Sequence, residues 1–277
     1  MQRRFKQLRS LKNKVVFITG GDSGIGKELA LAAARRGAIV VVAARNKQQL
    51  ERVAKDCLIL SGRPAFSYVL DVTDPDQIDI VLSQIQHEVG GIDVLVNSAG
   101  IGDFAPATTE SYATLDKLVE TNLLAVMYIS RCVAKQMMDQ GYGAIINLGS
   151  IAGIIPTPHS AAYSATKAGV NQFDNVLRME VADYGVQVLT VNPGPIDTAF
   201  FDKADESGNY RTHLPQWMFI SADDLANQVW NNVGYKTREI NVPSYVSCLN
   251  WLYRLTPGLG DWAIKKFFDF QQNKNEL

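Results

Sequence analysis

Lys14-Val15-Val16-Phe17-Ile18-Thr19-Gly20-Gly21-Asp22-Ser23-Gly24-Ile25-Gly26 is the stretch that decides the fold. Lys14 to Thr19 is a short, largely apolar run ended by glycines, the pattern of a strand buried on both faces. From Gly24 to Arg36 the apolar positions Ile25, Leu29, Ala32 and Ala33 recur at helical spacing, and Gly37 closes the segment. Ala38 to Ala44 is again continuously apolar and β-branched. The order is strand, glycine turn, helix, strand. In that setting glycines let the backbone turn sharply and approach a pyrophosphate, whose charge is stabilised by the free N–H groups and positive end of the helix. Gly20, Asp22, Ser23, Gly24, Ile25 and Gly26 are therefore candidate cofactor contacts, although their spacing departs from the usual Gly-x-Gly-x-x-Gly fingerprint.

The alternation continues along the chain. Strands are predicted at Ala65 to Leu70, Ile92 to Val96, Ala144 to Leu148 and Val186 to Val191, with a short one near Glu239 to Val242. Helices are predicted at Gln77 to Val89, Ser111 to Asp139, Tyr163 to Tyr184 and Asp223 to Tyr235. Buried strands separated by helices predict an α/β, doubly wound, Rossmann-type fold, a parallel sheet of about seven strands with helices on both faces. Its crossovers are expected to be right-handed. A length of 277 residues fits one such domain. Between Pro193 and Ser221 the periodicity fails, as expected of a lid over a pocket. The tail from Val246 to Phe270 is rich in aromatics, broken at Pro257-Gly258, and reads as two short helices.

Bulk properties exclude several functions. With 47% hydrophobic and 20% charged residues the chain is an ordinary globular one, and its net charge of -1 gives no overall signal for nucleic acid. Cys57, Cys132 and Cys248 are far apart, without metal or disulfide spacing, and His87, His159 and His213 match no ligand pattern, so no metal is expected. No stretch reaches the roughly 18 apolar residues of a spanning helix. The start, Met1 to Lys14, lacks the apolar core of a secretory signal, so a cytoplasmic location is expected. That start is basic, with Arg3, Arg4, Lys6, Arg9, Lys12 and Lys14 around Phe5 and Leu8, a pattern able to touch anionic lipid or nucleic acid.

The second strand is where a dinucleotide fold reads the adenosine ribose, through an acid for a free hydroxyl or an arginine for a 2′-phosphate. It ends Ala43-Ala44-Arg45-Asn46, with no carboxylate; Arg45 and Asn46 are candidate cofactor contacts beside the ribose, and Arg45 offers a fork of donors, which favours NADP. Asp22 is a carboxylate able to oppose the same phosphate, so NAD stays open. Tyr163 and Lys167 are four residues apart and share one helix face. A phenol ordinarily keeps its proton to about pH 10, and a nearby ammonium is expected to lower that value. Together they form a proton donor and acceptor suited to a carbonyl that gains hydride on carbon. Ser150, at the end of the fifth strand, can donate to the oxygen on which charge develops.

Five motifs in order resemble those of the short-chain dehydrogenase/reductase family over nearly the whole chain. They are the Thr19 to Gly26 turn, Asp71-Val72, Asn97-Ser98-Ala99-Gly100, Ser150 with Tyr163-x-x-x-Lys167, and Pro193-Gly194. The resemblance implies a nicotinamide-dependent oxidoreductase with Asn122, Ser150, Tyr163 and Lys167 as catalytic residues, Asn122 supporting a water-linked proton relay. It also implies that Lys167 binds the nicotinamide ribose, and that Asp71 and Val72 flank the adenine. Asn97, Ala99 and Gly100 would pass beside the ribose and nicotinamide, and Pro193, Gly194, Ile196 and Thr198 would border the carboxamide. Ser98 stands where the family often has a second asparagine. The helices holding Asn122 and Tyr163 pair subunits in the family, which implies a homo-dimer or homo-tetramer.

Phe200, Phe201, Tyr210, Leu214, Trp217, Met218 and Phe219 form an apolar set in the lid, suited to a lipophilic ketone, aldehyde or alcohol. Trp251, Tyr253, Trp262, Phe267 and Phe268, interleaved with Lys265 and Lys266, are read as a subunit interface, with a membrane surface as the alternative. Two rival functions remain. One is an NADP(H)-binding regulator without turnover, against which the intact Ser150, Tyr163 and Lys167 speak; the other is a peripheral membrane or nucleic-acid binder.

Overall fold

The computed structural model describes residues 4–204 and 216–275. Seven strands form one sheet: β1 (Val15–Thr19), β2 (Ile39–Ala44), β3 (Ala65–Val69), β4 (Val94–Asn97), β5 (Gly143–Leu148), β6 (Val186–Pro193) and β7 (Glu239–Val242). Their order is β3-β2-β1-β4-β5-β6-β7 and every neighbouring pair is parallel. The helices are α1 (Gly24–Arg35), α2 (Lys47–Ser61), α3 (Pro75–Glu88), α4 (Tyr112–Val119), α5 (Ala125–Gln140), α6 (Ala161–Val181), α7 (Phe200–Ala204), α8 (Ala222–Asn232), α9 (Val246–Leu255) and α10 (Pro257–Asn275). From β1 the chain moves outward through β2 and β3, then returns to place β4 on the other side of β1. The crevice at the carboxyl ends of β1 and β4 is where such sheets bind ligands.

The central strands are apolar throughout because both faces are covered. Val16, Ile18, Val42 and Val96 point to the side of α1, α2 and α8, where they meet Leu29, Leu50 and Val229. Phe17, Val41 and Leu95 point the other way, toward Ile78 of α3, Val133 of α5 and Leu177 of α6. Alternate residues of one strand thus serve two cores, which a half-exposed strand could not do.

Three features differ from the sequence expectation. Helix α2 was not anticipated, although Leu50, Val53, Ala54 and Cys57 form a buried stripe at helical spacing. Its start is fixed by Asn46, whose side chain accepts from Gln49 N, and its end by left-handed Gly62. The long helix expected from Ser111 is interrupted by a π-helical turn at Glu120–Leu124, which carries Asn122. The basic start does not present its apolar residues outward. Arg4–Arg9 is a 3-10 helix whose Phe5 and Leu8 are buried in the core with Leu11, while Arg9 donates to the Gly234 carbonyl oxygen at 3.2 Å and lies over the Tyr235 ring. Among the described residues of this start, the apolar side chains Phe5, Leu8 and Leu11 are taken up by core packing.

Candidate active site

A cavity of about 1940 Å³ runs along the carboxyl edge of the sheet, from the glycine turn to α6 and on to α10. At its first end the turn between β1 and α1 is tight. Gly20 has a positive φ of 64°, and a methyl there would lie 2.7 Å from the Ala99 backbone. A methyl at Gly26 would collide with the Gly20 carbonyl oxygen. Only glycine permits this approach of turn, helix and β4. The Ser23 side chain makes no capping bond to α1 and the first turn holds no acid, so no side chain of the cap competes for the positive helix end. An uncapped helix start behind a glycine turn, facing a cavity, fits a pyrophosphate. Asp22 and the exposed Arg45 both border this region, and Asp71 and Val72 line the adjoining wall.

At the other end α6 brings Tyr163 and Lys167 to the cavity wall. Both are buried, and burial pushes the Tyr163 phenol up to about 12, the Ser150 hydroxyl pulling partly the other way. Burial also pushes Lys167 down to about 8. The expected lowering of the phenol by the amine is therefore not found. Lys167 Nζ donates to the Leu148 carbonyl oxygen at 2.8 Å and lies 5.8 Å from the Tyr163 ring centre, and desolvation dominates the state of the phenol. The phenol holds its proton and can act as an acid. Ser150 sits two residues beyond β5, where its hydroxyl accepts from Ala152 N at 3.1 Å and its own N–H donates to Asn192 Oδ1 at 3.1 Å.

Asn122 stands behind this wall rather than on it. It is fully buried, its Oδ1 accepts from Ile101 N and its Nδ2 donates to Ile101 O, both at 2.9 Å, with a further contact from Nδ2 to Thr166 Oγ1. The π-helical turn aims this carboxamide at the strand-end loop. A methyl built on Gly100 would lie 3.2 Å from Asn122 Oδ1 and 3.6 Å from Lys167 Nζ, so Gly100 is pinned between the two.

Of the positions expected to meet the cofactor, Asn97 does not reach the cavity. Its side chain is buried beneath it, donating to Ser130 Oγ at 3.0 Å and Asn147 Oδ1 at 2.8 Å. Asn147 in turn donates to Asp174 Oδ1, and Thr190 donates to Asp174 Oδ2. Asn97, Asn147 and Thr190 are register partners on β4, β5 and β6, so one α6 carboxylate ties together the ends of the strands from which the site loops depart. Ala99, Gly100, Pro193, Gly194, Ile196 and Thr198 all line the cavity, as does Asn46 beside its capping role. In the lid, Tyr210, His213 and Leu214 lie outside the described residues, as does the side chain of Trp217. Phe200, Phe201 and Met218 line the cavity.

Sequence reasoning missed several wall residues. The Phe104 ring meets Tyr163 edge-on with centroids 5.8 Å apart and stacks on Phe201, and Phe200 adds a third ring 6.1 Å from Tyr163. Nothing in the order of residues pairs Phe104 with Tyr163. The tail also supplies wall: Leu249 and Leu252 of α9 and Ile264 and Phe267 of α10 face the same space.

A family model described as short chain dehydrogenase matches residues 14–208. The chain belongs to the short-chain dehydrogenase family. An uncharacterized oxidoreductase of Staphylococcus aureus (strain USA300) is 35% identical over 189 residues, covering 68% of this chain and 80% of that one. The crystal structure of a short-chain type dehydrogenase/reductase from Mycobacterium marinum aligns with a TM-score of 0.79 and 31% identity, covering 87% of this chain and 98% of that one. A short-chain dehydrogenase from Sphingobium yanoikuyae in complex with NADPH aligns with a TM-score of 0.77 and 27% identity, covering 89% and 94%. The protein is thus an oxidoreductase with a nicotinamide-binding fold. In this short-chain dehydrogenase α8, α9 and α10 all lie beyond the matched residues, and the last two help to wall the cavity.

Proposed function

We propose that this short-chain dehydrogenase transfers hydride between NADP(H) and the carbonyl or alcohol carbon of a lipophilic ketone or aldehyde. The observation behind this is the Tyr163 phenol beside the Lys167 amine, on the wall of one long cavity that starts at the glycine turn. When bound, the nicotinamide supplies or accepts the hydride. Tyr163 holds the proton destined for the substrate oxygen, and Ser150 steadies that oxygen as charge develops. Lys167 binds the ribose and keeps positive charge near the phenol. Asn122, through Ile101, acts as a positioning residue for this wall. Asn97 keeps only a structural part, beneath the cofactor region.

NADP is favoured over NAD by the exposed Arg45 at the end of β2, where no carboxylate stands. NADPH in the Sphingobium yanoikuyae structure supports the same choice. Phe104, Phe200 and Phe201 around Tyr163 favour an apolar substrate. Residues 1–277 act as one unit in this proposal, with 193–221 as lid, 246–277 as helical tail, and homo-oligomers formed through α5 and α6. Exposed Val176 and Met179 on α6 suit such pairing.

NADPH oxidation followed against a panel of ketones and aldehydes tests the proposal, with Tyr163→Phe in parallel. Turnover is expected to fall ~10²–10⁴-fold in the variant. Undiminished turnover would end the mechanism.

A further inference from the structure

Helices α9 and α10 each carry an exposed apolar stripe that runs from the rim of the cavity outward, Leu252, Leu259 and Ala263 lining the cavity and Trp251, Leu255 and Trp262 lying beyond it. On α9, Cys248, Trp251, Leu252 and Leu255 recur at helical spacing and all are exposed, Trp251 by 62% and Leu255 by 60%. On α10 the same spacing joins Leu259, Trp262 and Ala263, with Leu259 exposed by 63% and Trp262 by 59%. The two helices are fixed to each other. Gly260 makes room for the Tyr253 ring, where any side chain would collide, and the Tyr253 hydroxyl donates to Asp261 Oδ1 at 2.9 Å. Two rigidly paired helices thus hold large apolar side chains in water, at a cost that a partner would remove.

The charges around the stripes say which partner. Arg254, Lys265 and Lys266 are exposed on these helices, and Lys266 Nζ lies 4.9 Å over the Trp262 ring, at the stripe's edge. Among the described side chains of the pair the one acid is Asp261, engaged by Tyr253. Tryptophans bordered by basic side chains match a surface that is apolar a few ångströms deep and negatively charged above, the boundary of an anionic bilayer. A second copy of this chain fits less well, because a two-fold contact sets each patch against itself and brings like charges together. Leu249, Leu252 and Leu259 are both exposed and part of the cavity wall, so the cavity opens onto this same face.

We propose that the outer face of the α9–α10 pair docks on an anionic lipid surface, with the mouth of the cavity toward the bilayer. Docking does not depend on the hydride-transfer proposal. No helix among the described residues is long and apolar enough to cross a membrane, so the contact is peripheral.

Sedimentation of the full chain with phosphatidylcholine vesicles, with and without phosphatidylglycerol, tests this. The chain is expected to partition onto the anionic vesicles at low ionic strength, to be released by salt, and to show a blue shift of tryptophan emission on binding. Trp251→Glu/Trp262→Glu is expected to reduce partitioning at least ~10-fold with the circular dichroism spectrum unchanged. Should that variant misfold, Lys265→Glu/Lys266→Glu, which alters surface charge alone, is expected to weaken anionic binding. Failure of the wild-type chain to bind anionic vesicles would overturn the proposal. So would binding undiminished by either folded variant, or a dimer that Trp251→Glu/Trp262→Glu dissociates in the absence of any vesicle binding.

Discussion

Lys167 Nζ donates to the Leu148 carbonyl oxygen at 2.8 Å, so the last residue of β5 orients the amine of α6. This bond fixes a buried cation whose proton is lost from about pH 8. Below that value the amine is charged, as its proposed support of the ribose and the phenol requires; above it the amine is neutral. Tyr163 meanwhile keeps its proton to about 12. Reductive kcat/KM is expected to hold through neutrality and decline above about pH 8, the limb belonging to the amine rather than the phenol. Lys167→Arg, which stays charged, is expected to lower the rate and move the limb to higher pH. A pH–rate profile with the same limb in both proteins would assign it elsewhere.

Arg45→Ala removes the donor fork at the end of β2. The Michaelis constant for NADPH is expected to rise by about tenfold or more, with that for NADH little changed. Equal effects on both cofactors, in initial-rate measurements, would leave the 2′-phosphate without its proposed partner.

Asn122→Ala leaves both backbone groups of Ile101 without their carboxamide partner. Loss of two buried bonds is expected to cost about 2–3 kcal/mol in urea unfolding. Because Gly100 lies between Asn122 and Lys167, kcat should fall too, and the alkaline limb of the pH profile should move. An unchanged limb with lowered stability would reduce Asn122 to a scaffold residue.

Asp174 is fully buried among Asn147, Thr190 and Arg178, and burial raises its pKa from 3.8 to about 6. Arg238 and Glu239 border Arg178. Between these pH values the folded chain binds a proton that the unfolded chain has released. The residue's stabilising contribution is therefore fully present below 3.8 and is lost as pH rises through about 6, a difference of about 3 kcal/mol. Asp174→Asn is expected to remove that slope, read as the difference between wild-type and variant urea midpoints on either side of pH 6. Parallel pH profiles would show that the carboxyl titrates normally.

The strand pattern was legible because a sheet covered on both faces needs unbroken apolar runs, and Phe17, Val41 and Leu95 announce theirs. Asn46 was ambiguous: the same residue reads as a ribose neighbour or as a helix cap, and reading only the first hid α2. Asn97 was misplaced for a different reason. Its neighbours Ala99 and Gly100 do line the cavity, but alternation along β4 sends the Asn97 side chain into the sheet's own polar row. The phenol's proton affinity was misjudged because spacing gives proximity on a helix and not burial.

Local order along the chain determined the parallel sheet, the glycine turn before α1, and the pairing of Tyr163 with Lys167, since each rests on residues a few positions apart. Only the tertiary structure decided that Phe104 packs on Tyr163, that Asp174 bonds β5 and β6 directly and β4 through Asn147, and that α9 and α10 wall the cavity while Trp251, Leu255 and Trp262 stand exposed. These are contacts across long separations in sequence, set by how the layers pack, and no local periodicity encodes them.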